Sequence, residues 1–171
     1  MKSVIFDMDG TLTQPTQPIS IEMMEALSKV PAGYKKFLVT GSDFGKIENQ
    51  IPEDYLLSTF SKVFSCNGTR VYNCDLDMDD ESSPLLPELV HKIGLLDHYS
   101  QADINHIVSY LLKLASQSNT KFKTGTFIEW RDSQINFSVV GRNCSLEQRE
   151  NYVLWDEKSK ERERIAEKLR K

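Results

Sequence analysis

Short apolar runs alternate with amphipathic stretches along the first part of the chain. The run at residues 3–6 ends in acidic and glycine residues, and the run at residues 37–39 ends in a Thr-Gly-Ser turn at residues 40–42. Short apolar runs that stop at polar turn residues predict buried strands. A helical spacing of apolar residues follows each run, first at residues 19–30 with Ser20 as the expected N-cap. The order strand, helix, strand, helix predicts a parallel sheet.

A third apolar run leads into a predicted hairpin. The run at residues 62–65 turns through Asn67-Gly68 into a further extended stretch at residues 69–72. Asn-Gly is a strong hairpin signal because both residues readily adopt the positive φ that a tight turn needs. The regular alternation of strand and helix stops after this hairpin.

An acidic stretch separates this module from the next. Residues 75–81 carry few apolar side chains, and a Ser-Ser-Pro turn follows them. Such a composition is typical of a connection rather than of a helix or a strand. The expected modules are therefore residues 1–82 and residues 83–171.

The second module shows both helical and strand patterns. Its apolar spacing predicts two helices and then a hairpin that turns at Asp132-Ser133. A capping-box pattern beginning at Ser145 opens the last segment, which continues into a strongly charged helix. The expected bounds are 87–96 and 101–116 for the helices, 125–130 and 134–140 for the hairpin strands, and 157–171 for the charged helix. This module is predicted to be α+β.

Composition and charge narrow the class of partner. The 171 residues are 39% hydrophobic, which suits a globular core, and the formal net charge of −4 with dispersed Lys and Arg gives no footprint for nucleic acid. No apolar run approaches the length that crosses a bilayer, and the N-terminus lacks a signal-peptide pattern. The three cysteines lack the spacing of a disulfide framework or a zinc site, so we expect reduced thiols. These features predict a cytoplasmic protein with a small-molecule partner and no membrane or nucleic-acid partner.

The first polar loop holds the candidate chemistry. Phosphoryl transfer through a covalent intermediate needs a nucleophilic carboxylate and an acid/base for the oxygen that leaves. Asp7 and Asp9 occupy i, i+2 positions on an extended backbone, so their side chains can lie on the same side, and Gly10 allows a tight turn beside a phosphate. The alternative is that both aspartates are turn residues after an edge strand, where Asp and Gly are common.

The stretch FDMDGTLT at residues 6–13 resembles motif I of the haloacid dehalogenase superfamily. The resemblance implies a Rossmann-like core with an inserted α+β cap, in which Asp7 is the nucleophile and Asp9 the general acid/base. It also implies a Mg²⁺ ion held by the Asp7 carboxylate and the Asp9 backbone carbonyl. By motif II of the same superfamily, Thr40 or Ser42 binds the phosphate, and the alternative for Ser42 is the N-cap of the next helix.

Further segments resemble eukaryotic-type phosphomannomutase and follow one another in register. They are Gly41-Ser42-Asp43-Phe44, Asn67-Gly68, the GTFIEWR stretch at residues 125–131, Val139-Val140-Gly141-Arg142 and Glu147-Gln148-Arg149-Glu150. The resemblance implies interconversion of mannose 6-phosphate and mannose 1-phosphate through an aspartyl phosphate, in the supply of GDP-mannose. It also implies Mg²⁺, a hexose 1,6-bisphosphate activator, a hexose-phosphate substrate and a homodimer formed through the cap.

Two other functions stay open at this point. A sugar-phosphate phosphatase would use the same residues, because a mutase differs from it in keeping water away from the aspartyl phosphate. A truncated relative without catalytic activity is the other, because no residue of the chain matches the motif III lysine or the motif IV aspartate of the superfamily. The fold is accordingly expected to be incomplete at the C-terminus.

Three arginines are candidates for a second phosphate site. The resemblance to the family implies that they bind the substrate phosphate remote from the nucleophile, and they are Arg131, Arg142 and Arg149. Taken one at a time, each would be interpreted as a solvent-exposed surface residue. Guanidinium groups suit this role because they bind phosphate oxygens through forked donors. A straight hairpin would carry Arg142 about 26 Å from the partner of Arg131 at a rise of roughly 3.3 Å per residue. Either the chain bends near Gly141 and all three converge, or only two of them meet.

Overall fold

The computed structural model describes residues 2–75 and 86–170, and within these ranges no helix is long and apolar enough to cross a membrane. Contacts divide the chain into two compact units, Met1–Gly94 and Leu95–Lys171. The expected boundary between residues 82 and 83, and most of the acidic connection before it, lie outside the described residues. The first unit extends to Gly94 because the chain after the connection joins the sheet of that unit.

The first unit is built on a five-stranded sheet. Its strands are β1 (Lys2–Asp7), β2 (Tyr34–Val39), β3 (Lys62–Ser65), β4 (Arg70–Asn73) and β5 (Glu88–Lys92). They lie in sequence order. Strands β1, β2 and β3 are parallel to one another, β4 is antiparallel to β3, and β5 is antiparallel to β4. Asp7 is in register with Val39, and Val39 with Phe64, so the carboxyl ends of the parallel strands meet at one edge. The predicted α/β core and the Asn-Gly hairpin are confirmed.

Helices connect the strands along residues 2–75. They are α1 (Ile21–Ser28), α2 (Phe44–Glu48) and α3 (Glu53–Thr59). The Ser20 hydroxyl accepts the Met23 N–H at 3.3 Å, which confirms Ser20 as the N-cap of α1. The N-cap of α2 is Asp43, whose carboxylate accepts the Lys46 N–H at 3.0 Å, so the alternative of Ser42 as this N-cap is wrong. A carboxylate one residue further along caps the free N–H groups of the first turn.

The hydrophobic core of the first unit draws on strands, helices and the loop after β1. Leu38 of β2 and Val63 of β3 pack in one buried cluster with Ile47 of α2 and Leu56 of α3. Burying each such side chain contributes roughly 1.5–3 kcal/mol to the free energy that stabilises the folded state. Met8 belongs to the same cluster, so the loop after β1 is fixed to the core.

The prediction of a helix at residues 87–96 is wrong. Residues 88–92 form β5, which pairs antiparallel with β4, and a short 3₁₀ turn follows at Leu95–Asp97. Pro87 and Gly94 bracket a stretch too short to form a stable helix by itself. The edge of β4 offers backbone hydrogen-bonding groups to a strand, and pairing with them satisfies the backbone of this segment.

The second unit combines helices with a small hairpin. It contains α4 (Gln101–Gln117), β6 (Ile128–Trp130), β7 (Ile135–Phe137), α5 (Leu146–Ser159) and α6 (Glu161–Leu169). The strands β6 and β7 pair antiparallel on either side of Asp132-Ser133, and Ser145 caps α5 through the predicted capping box. The predicted α+β character is confirmed, with hairpin strands that are shorter than expected.

The charged C-terminal segment is divided between two helices. Lys160 adopts a left-handed conformation with φ of 54°, which ends α5 before α6 begins at Glu161. The Glu161 carboxylate is buried and accepts the Ser118 hydroxyl at 2.9 Å and the Tyr152 hydroxyl at 3.1 Å. Burial, followed by the negative charge of Glu161, raises the pKa of Tyr152. A single helix over residues 157–171 is therefore wrong, because this buried carboxylate fixes the chain at the break.

The cysteines behave as the sequence predicts. All three are unpaired, and Cys66 and Cys74 are buried. Burial raises the pKa of Cys74 to about 12, so this thiol stays protonated at neutral pH. Both buried cysteines act as small packing residues.

Replacing Ser100 by Ala is expected to lower the free energy of unfolding of the second unit by about 1 kcal/mol. The Ser100 hydroxyl accepts the Asp103 N–H at 3.2 Å, and the Asp103 carboxylate accepts the Ser100 N–H at 3.0 Å, so the substitution removes one half of a capping box at the start of α4. Urea unfolding followed by tryptophan fluorescence reports on this unit, because both tryptophans, Trp130 and Trp155, belong to it.

Ser109→Ala in the same helix is the matched control for that measurement. The Ser109 hydroxyl donates to the Asn105 carbonyl at 2.8 Å within the helix, a contact that adds little to helix stability. We expect no loss of stability from this control. Equal destabilisation by the two substitutions would contradict the capping account.

Candidate active site

The two candidate catalytic carboxylates lie at the edge where the parallel strands end. β1 ends at Asp7, and Asp9 follows on the next loop. Asp7 is in register with Val39, the last residue of β2, so the polar segment after β2 begins beside it. Ligands of open α/β sheets bind outside the carboxyl ends of the strands. Both carboxylates are on exposed residues and are therefore accessible to a solute.

The loop after β1 is held by its own backbone. The carbonyl of the buried Met8 accepts the N–H groups of Leu12 at 2.9 Å and Thr13 at 3.0 Å. Gly10 has φ of 82°, and its N–H donates to the Thr13 carbonyl at 2.7 Å. These contacts fix the path of the backbone around Asp9 before any ligand arrives.

The Asp9 carboxylate has two side-chain donors. The Ser42 hydroxyl donates to Oδ2 at 3.3 Å, and the Gln50 amide donates to Oδ1 at 3.5 Å. The first contact joins the loop after β1 to the loop after β2. β1 is an edge strand of the described sheet, as the turn alternative assumes, but a simple turn residue needs no such distant partners. The contacts favour a chemical role for Asp9.

Gln50 is a further candidate site residue, which the sequence did not indicate. Its side chain is buried, and the Thr13 hydroxyl donates to Oε1 at 2.9 Å, which directs the amide nitrogen towards Asp9. The Gln50 carbonyl accepts the Ile19 N–H at 2.8 Å, so its backbone is fixed as well. One signal was present, because Gln50 lies next to Ile51 in a stretch whose apolar spacing predicts a buried face. A buried polar residue implies a hydrogen-bond partner elsewhere in the chain.

Thr40 and Ser42 occupy different positions. Thr40 is buried, its hydroxyl accepts the Ser42 N–H at 3.1 Å, and its carbonyl accepts the Asn67 N–H at 2.9 Å. Ser42 is half-buried and directs its hydroxyl to Asp9. The structure therefore brings Ser42 to the aspartate loop, and Thr40 supports the backbone that carries Ser42.

The oxygen atoms of Asp7 and Asp9 are the candidate metal ligands at this edge of the sheet. Mg²⁺ prefers oxygen ligands, usually keeps several waters and is commonly bound through one or two protein groups together with a substrate phosphate. Asp7 and Asp9 supply oxygen donors alone, and among the described residues no backbone N–H donates to the Asp9 carbonyl. Residues 2–75 and 86–170 contain no cluster of three or more His, Cys, Asp or Glu side chains that could hold a metal. The two aspartates fit a hydrated magnesium ion better than a fully protein-ligated one.

In the second unit, Arg131 and Arg142 converge on one carboxylate. Arg131 donates to the Glu129 Oε2 atom from Nε at 3.0 Å and from Nη2 at 2.5 Å, and Arg142 Nε lies 3.7 Å from the same atom. Asn136 Nδ2 donates to this oxygen at 3.3 Å. The Arg131 side chain is 8% exposed and the Arg142 side chain 30% exposed. Two of the predicted arginines therefore meet, and Arg142 is the more accessible.

A bend at Gly141 brings Arg142 back to the hairpin. The Gly141 N–H donates to the Ser138 carbonyl at 3.2 Å, which closes a turn beyond β7. Gly141 has φ of 94°, a conformation that residues other than glycine rarely adopt. The Arg142 N–H then donates to the Thr126 carbonyl at 3.1 Å. Because the chain bends here, Arg142 does not lie at the distance from Arg131 that a straight hairpin would give. The bend near Gly141 that convergence of the arginines requires is present.

Arg142 and Arg149 line a cavity of about 470 Å³ in the second unit. Arg149 lies in the first turn of α5 and is exposed. Arg162 of α6 lines the same cavity, and its Nε donates to the Asp156 Oδ2 atom at 2.9 Å. Nothing in the sequence distinguished Arg162 from its charged neighbours. The cavity places two of the predicted arginines together, in addition to the pair that meets at Glu129.

The similarity to known proteins extends over nearly the whole chain. The sequence model of eukaryotic phosphomannomutase matches residues 23–171. The chain belongs to the eukaryotic phosphomannomutase family. It is 34% identical over 171 residues to a probable phosphomannomutase of Caenorhabditis elegans and 32% identical over 167 residues to human phosphomannomutase 1. These alignments cover 98% and 97% of this chain but 62% and 59% of the relatives, so the chain spans about three fifths of their length.

The phosphomannomutase match includes most of the candidate site. The matched region contains Ser42 and the three arginines, and it also contains Gln50 and Glu129, for which no role was expected. Asp7 and Asp9 precede it but fall within the alignment with the C. elegans relative. Among solved structures, a haloacid dehalogenase-like hydrolase from B. subtilis matches 66% of this chain and 34% of its own, with 21% identity and a TM-score of 0.45.

Proposed function

We propose that this chain performs the phosphoryl transfer of a phosphomannomutase, which interconverts mannose 6-phosphate and mannose 1-phosphate for GDP-mannose synthesis. The observation that carries the proposal is the hydrogen bond from Ser42 to Asp9 beside the strand end that bears Asp7. It assembles a nucleophile, an acid/base and a hydroxyl donor at one edge of the sheet. Membership of the phosphomannomutase family supports the choice of substrate.

Asp7 is the proposed nucleophile and Asp9 the proposed general acid/base. An Asp7 carboxylate oxygen attacks a phosphorus atom of hexose 1,6-bisphosphate, the bond from that phosphorus to the sugar oxygen breaks, and Asp9 gives a proton to the departing oxygen. In the return step a hydroxyl of the hexose phosphate attacks the phosphorus of the aspartyl phosphate, the bond from phosphorus to the Asp7 oxygen breaks to restore the carboxylate, and Asp9 takes the hydroxyl proton. When a phosphate binds, the Ser42 hydroxyl turns its one O–H donor from Asp9 to a phosphate oxygen, while the Thr40 hydroxyl keeps its hydrogen bond from the Ser42 N–H.

The Asp7 carboxylate and the Asp9 carbonyl are the proposed ligands of Mg²⁺. When bound, the ion neutralises charge on the phosphate oxygens. The Asp9 carbonyl is held in position by the hydrogen bonds of Gly10 and by the burial of Met8 on either side of it. The protein therefore supplies the orientation of the two oxygens.

Arg142 and Arg149 are the proposed contacts for the phosphate that is not reacting. They line one cavity, and their forked donors match the geometry of a phosphate. Arg131 is proposed to contribute to the same site through its shared contact with Arg142 at Glu129. Its low exposure makes it the least accessible of the three.

We also propose a homodimer formed through the second unit and a cytoplasmic location. The second unit exposes large apolar side chains that a second copy can cover, among them Leu96, Tyr99 and Leu112. The three cysteines are unpaired, which fits a reducing compartment.

A coupled assay of the 171-residue chain with mannose 1-phosphate, Mg²⁺ and a catalytic amount of glucose 1,6-bisphosphate tests the proposed activity. We expect mannose 6-phosphate to accumulate with little inorganic phosphate, because a mutase returns the phosphoryl group to a sugar rather than to water. The rate is expected to fall when the bisphosphate is omitted. If inorganic phosphate forms without mannose 6-phosphate, the chain is a sugar-phosphate phosphatase and not a mutase. Formation of neither product would contradict both activities.

A further inference from the structure

We propose that Glu129 is a positioning residue for phosphate recognition, because its carboxylate holds the guanidinium groups of Arg131 and Arg142 in one arrangement. This inference rests on the proposed function, in which these arginines bind the phosphate that is not reacting. It assigns a role to an acidic residue in a site that is otherwise expected to be cationic.

The strand register fixes the Glu129 carboxylate beside its partners. Glu129 and Arg131 are in i, i+2 positions along β6 and the residue that follows it, so their side chains leave the backbone on the same side. Asn136 of β7 is directly opposite Glu129 in the antiparallel pairing and donates to its Oε2 atom at 3.3 Å. The carboxylate is therefore oriented by the hairpin itself.

One carboxylate oxygen connects the two arginines. Arg131 uses Nε and Nη2 to contact Glu129 Oε2 at 3.0 Å and 2.5 Å, and Arg142 Nε approaches the same atom at 3.7 Å. Two guanidinium groups this close repel each other unless a negative charge lies between them. Glu129 supplies that charge and removes the repulsion before a phosphate binds.

The contact also limits the motion of two long side chains. A free arginine samples many rotamers, and restricting it during binding reduces the affinity for the ligand. The Arg131 side chain is only 8% exposed, so much of this restriction exists in the folded chain. Arg142 keeps 30% of its side chain exposed and lines the cavity that Arg149 shares, so it can present its remaining donors to a phosphate.

Glu129→Gln is the test variant, because it keeps the size of the side chain and removes the charge. We expect the full chain carrying this change to bind mannose 1-phosphate about tenfold more weakly in calorimetric titration, with inorganic phosphate as a second probe. Glu129→Asp keeps the charge but withdraws the carboxylate by one methylene, and it is also expected to bind more weakly. Glu157→Gln on the exposed surface of α5 removes the same charge and is expected to bind like the wild type.

Two further readouts separate positioning from a general loss of structure. The Nε resonances of Arg131 and Arg142 are expected to shift in Glu129→Gln. The far-UV circular dichroism at the assay temperature is expected to match the wild type, although the thermal midpoint falls because the negative charge beside the 8% exposed Arg131 side chain is removed. In a double-mutant cycle with Arg142→Lys, the effect of Glu129→Gln on affinity is expected to shrink, because the two residues act through one contact.

The outcomes distinguish this inference from the proposed function. If Glu129→Gln binds mannose 1-phosphate as tightly as the wild type does, the positioning role is overturned and the proposed phosphate site is not. Tighter binding by Glu129→Gln would also overturn it, since Glu129 would then be a competing anion. A wild-type chain that binds neither mannose 1-phosphate nor inorganic phosphate would overturn the proposed phosphate site and this inference together.

Discussion

Replacing Asp7 by Asn is expected to lower the rate of phosphoryl transfer by a factor on the order of 10⁴ or more. The amide of asparagine is nearly the size of the carboxylate but is not a nucleophile that can form an acyl phosphate, so the covalent route is lost while the fold is kept. A factor of 10⁴ corresponds to about 5.5 kcal/mol of transition-state stabilisation. The measurement is the transfer of labelled phosphoryl groups from hexose 1,6-bisphosphate to mannose 1-phosphate by the 171-residue chain.

The control for this experiment is Asp54→Asn in the first turn of α3. Asp54 is an exposed aspartate of the same unit with no proposed catalytic role, so the variant carries the same change of charge without removing the nucleophile. We expect it to keep at least most of the wild-type rate. Asp7 is also exposed, so its replacement should change the free energy of unfolding by no more than about 0.5 kcal/mol. Full activity of Asp7→Asn would remove Asp7 from the role of nucleophile.

Replacing Gly141 by Ala is expected to destabilise the second unit by at least about 3 kcal/mol. An added Cβ atom would lie 2.1 Å from the Gly125 carbonyl oxygen and 2.9 Å from the Gly125 nitrogen, and neither backbone atom can move aside as a flexible side chain would. The φ of 94° adds strain for any residue with a side chain. The substitution would also displace Arg142, which follows the bend.

Urea unfolding followed by both tryptophan fluorescence and far-UV circular dichroism measures this loss. Gly33→Ala in the first unit, followed by far-UV circular dichroism, is the control for a glycine-to-alanine change as such, because a Cβ atom there meets no heavy atom within 4 Å and the backbone does not have a positive φ. We expect the control to be neutral or slightly stabilising. If Gly141→Ala unfolds at the same urea concentration as the wild type, the close approach of the two glycine backbones is incorrect.

The sequence predicts the elements whose signals are local. Residues 3–6, residues 37–39 and the Asn67-Gly68 hairpin were identifiable from apolar runs and turn residues, because each pattern is complete within a few positions. β5 was mistaken for a helix because its strand character depends on pairing with β4, which lies across the acidic connection. Periodicity carries no information about a hydrogen-bond partner elsewhere in the chain.

The sequence likewise identifies those residues of the candidate site whose signal is local and misses those that depend on distant contacts. The motif around Asp7 and Asp9 and the hydroxyl of Ser42 could be selected from the sequence, since each belongs to a short pattern. The link from Thr13 through Gln50 to Asp9 could not, because it joins two buried polar side chains to an exposed carboxylate, and only the fold brings the three together.

The arginine site shows the same limit in its geometry. The sequence indicated that convergence of Arg131 and Arg142 requires a bend near Gly141, and the structure contains this bend. It did not indicate that Glu129 would lie between the two guanidinium groups. The positions of charged side chains within a hairpin depend on strand register and on the bend, neither of which a residue pattern specifies.

Locating the phosphoryl group on the chain shows directly whether Asp7 is the nucleophile. The 171-residue protein is incubated with hexose 1,6-bisphosphate and Mg²⁺, treated with hydroxylamine to convert an aspartyl phosphate into a hydroxamate, and examined by peptide mass spectrometry. We expect modification at Asp7 that depends on the bisphosphate and is absent from Asp7→Asn. Modification at another residue, or isomerisation of mannose phosphates without any modified Asp7, would contradict it.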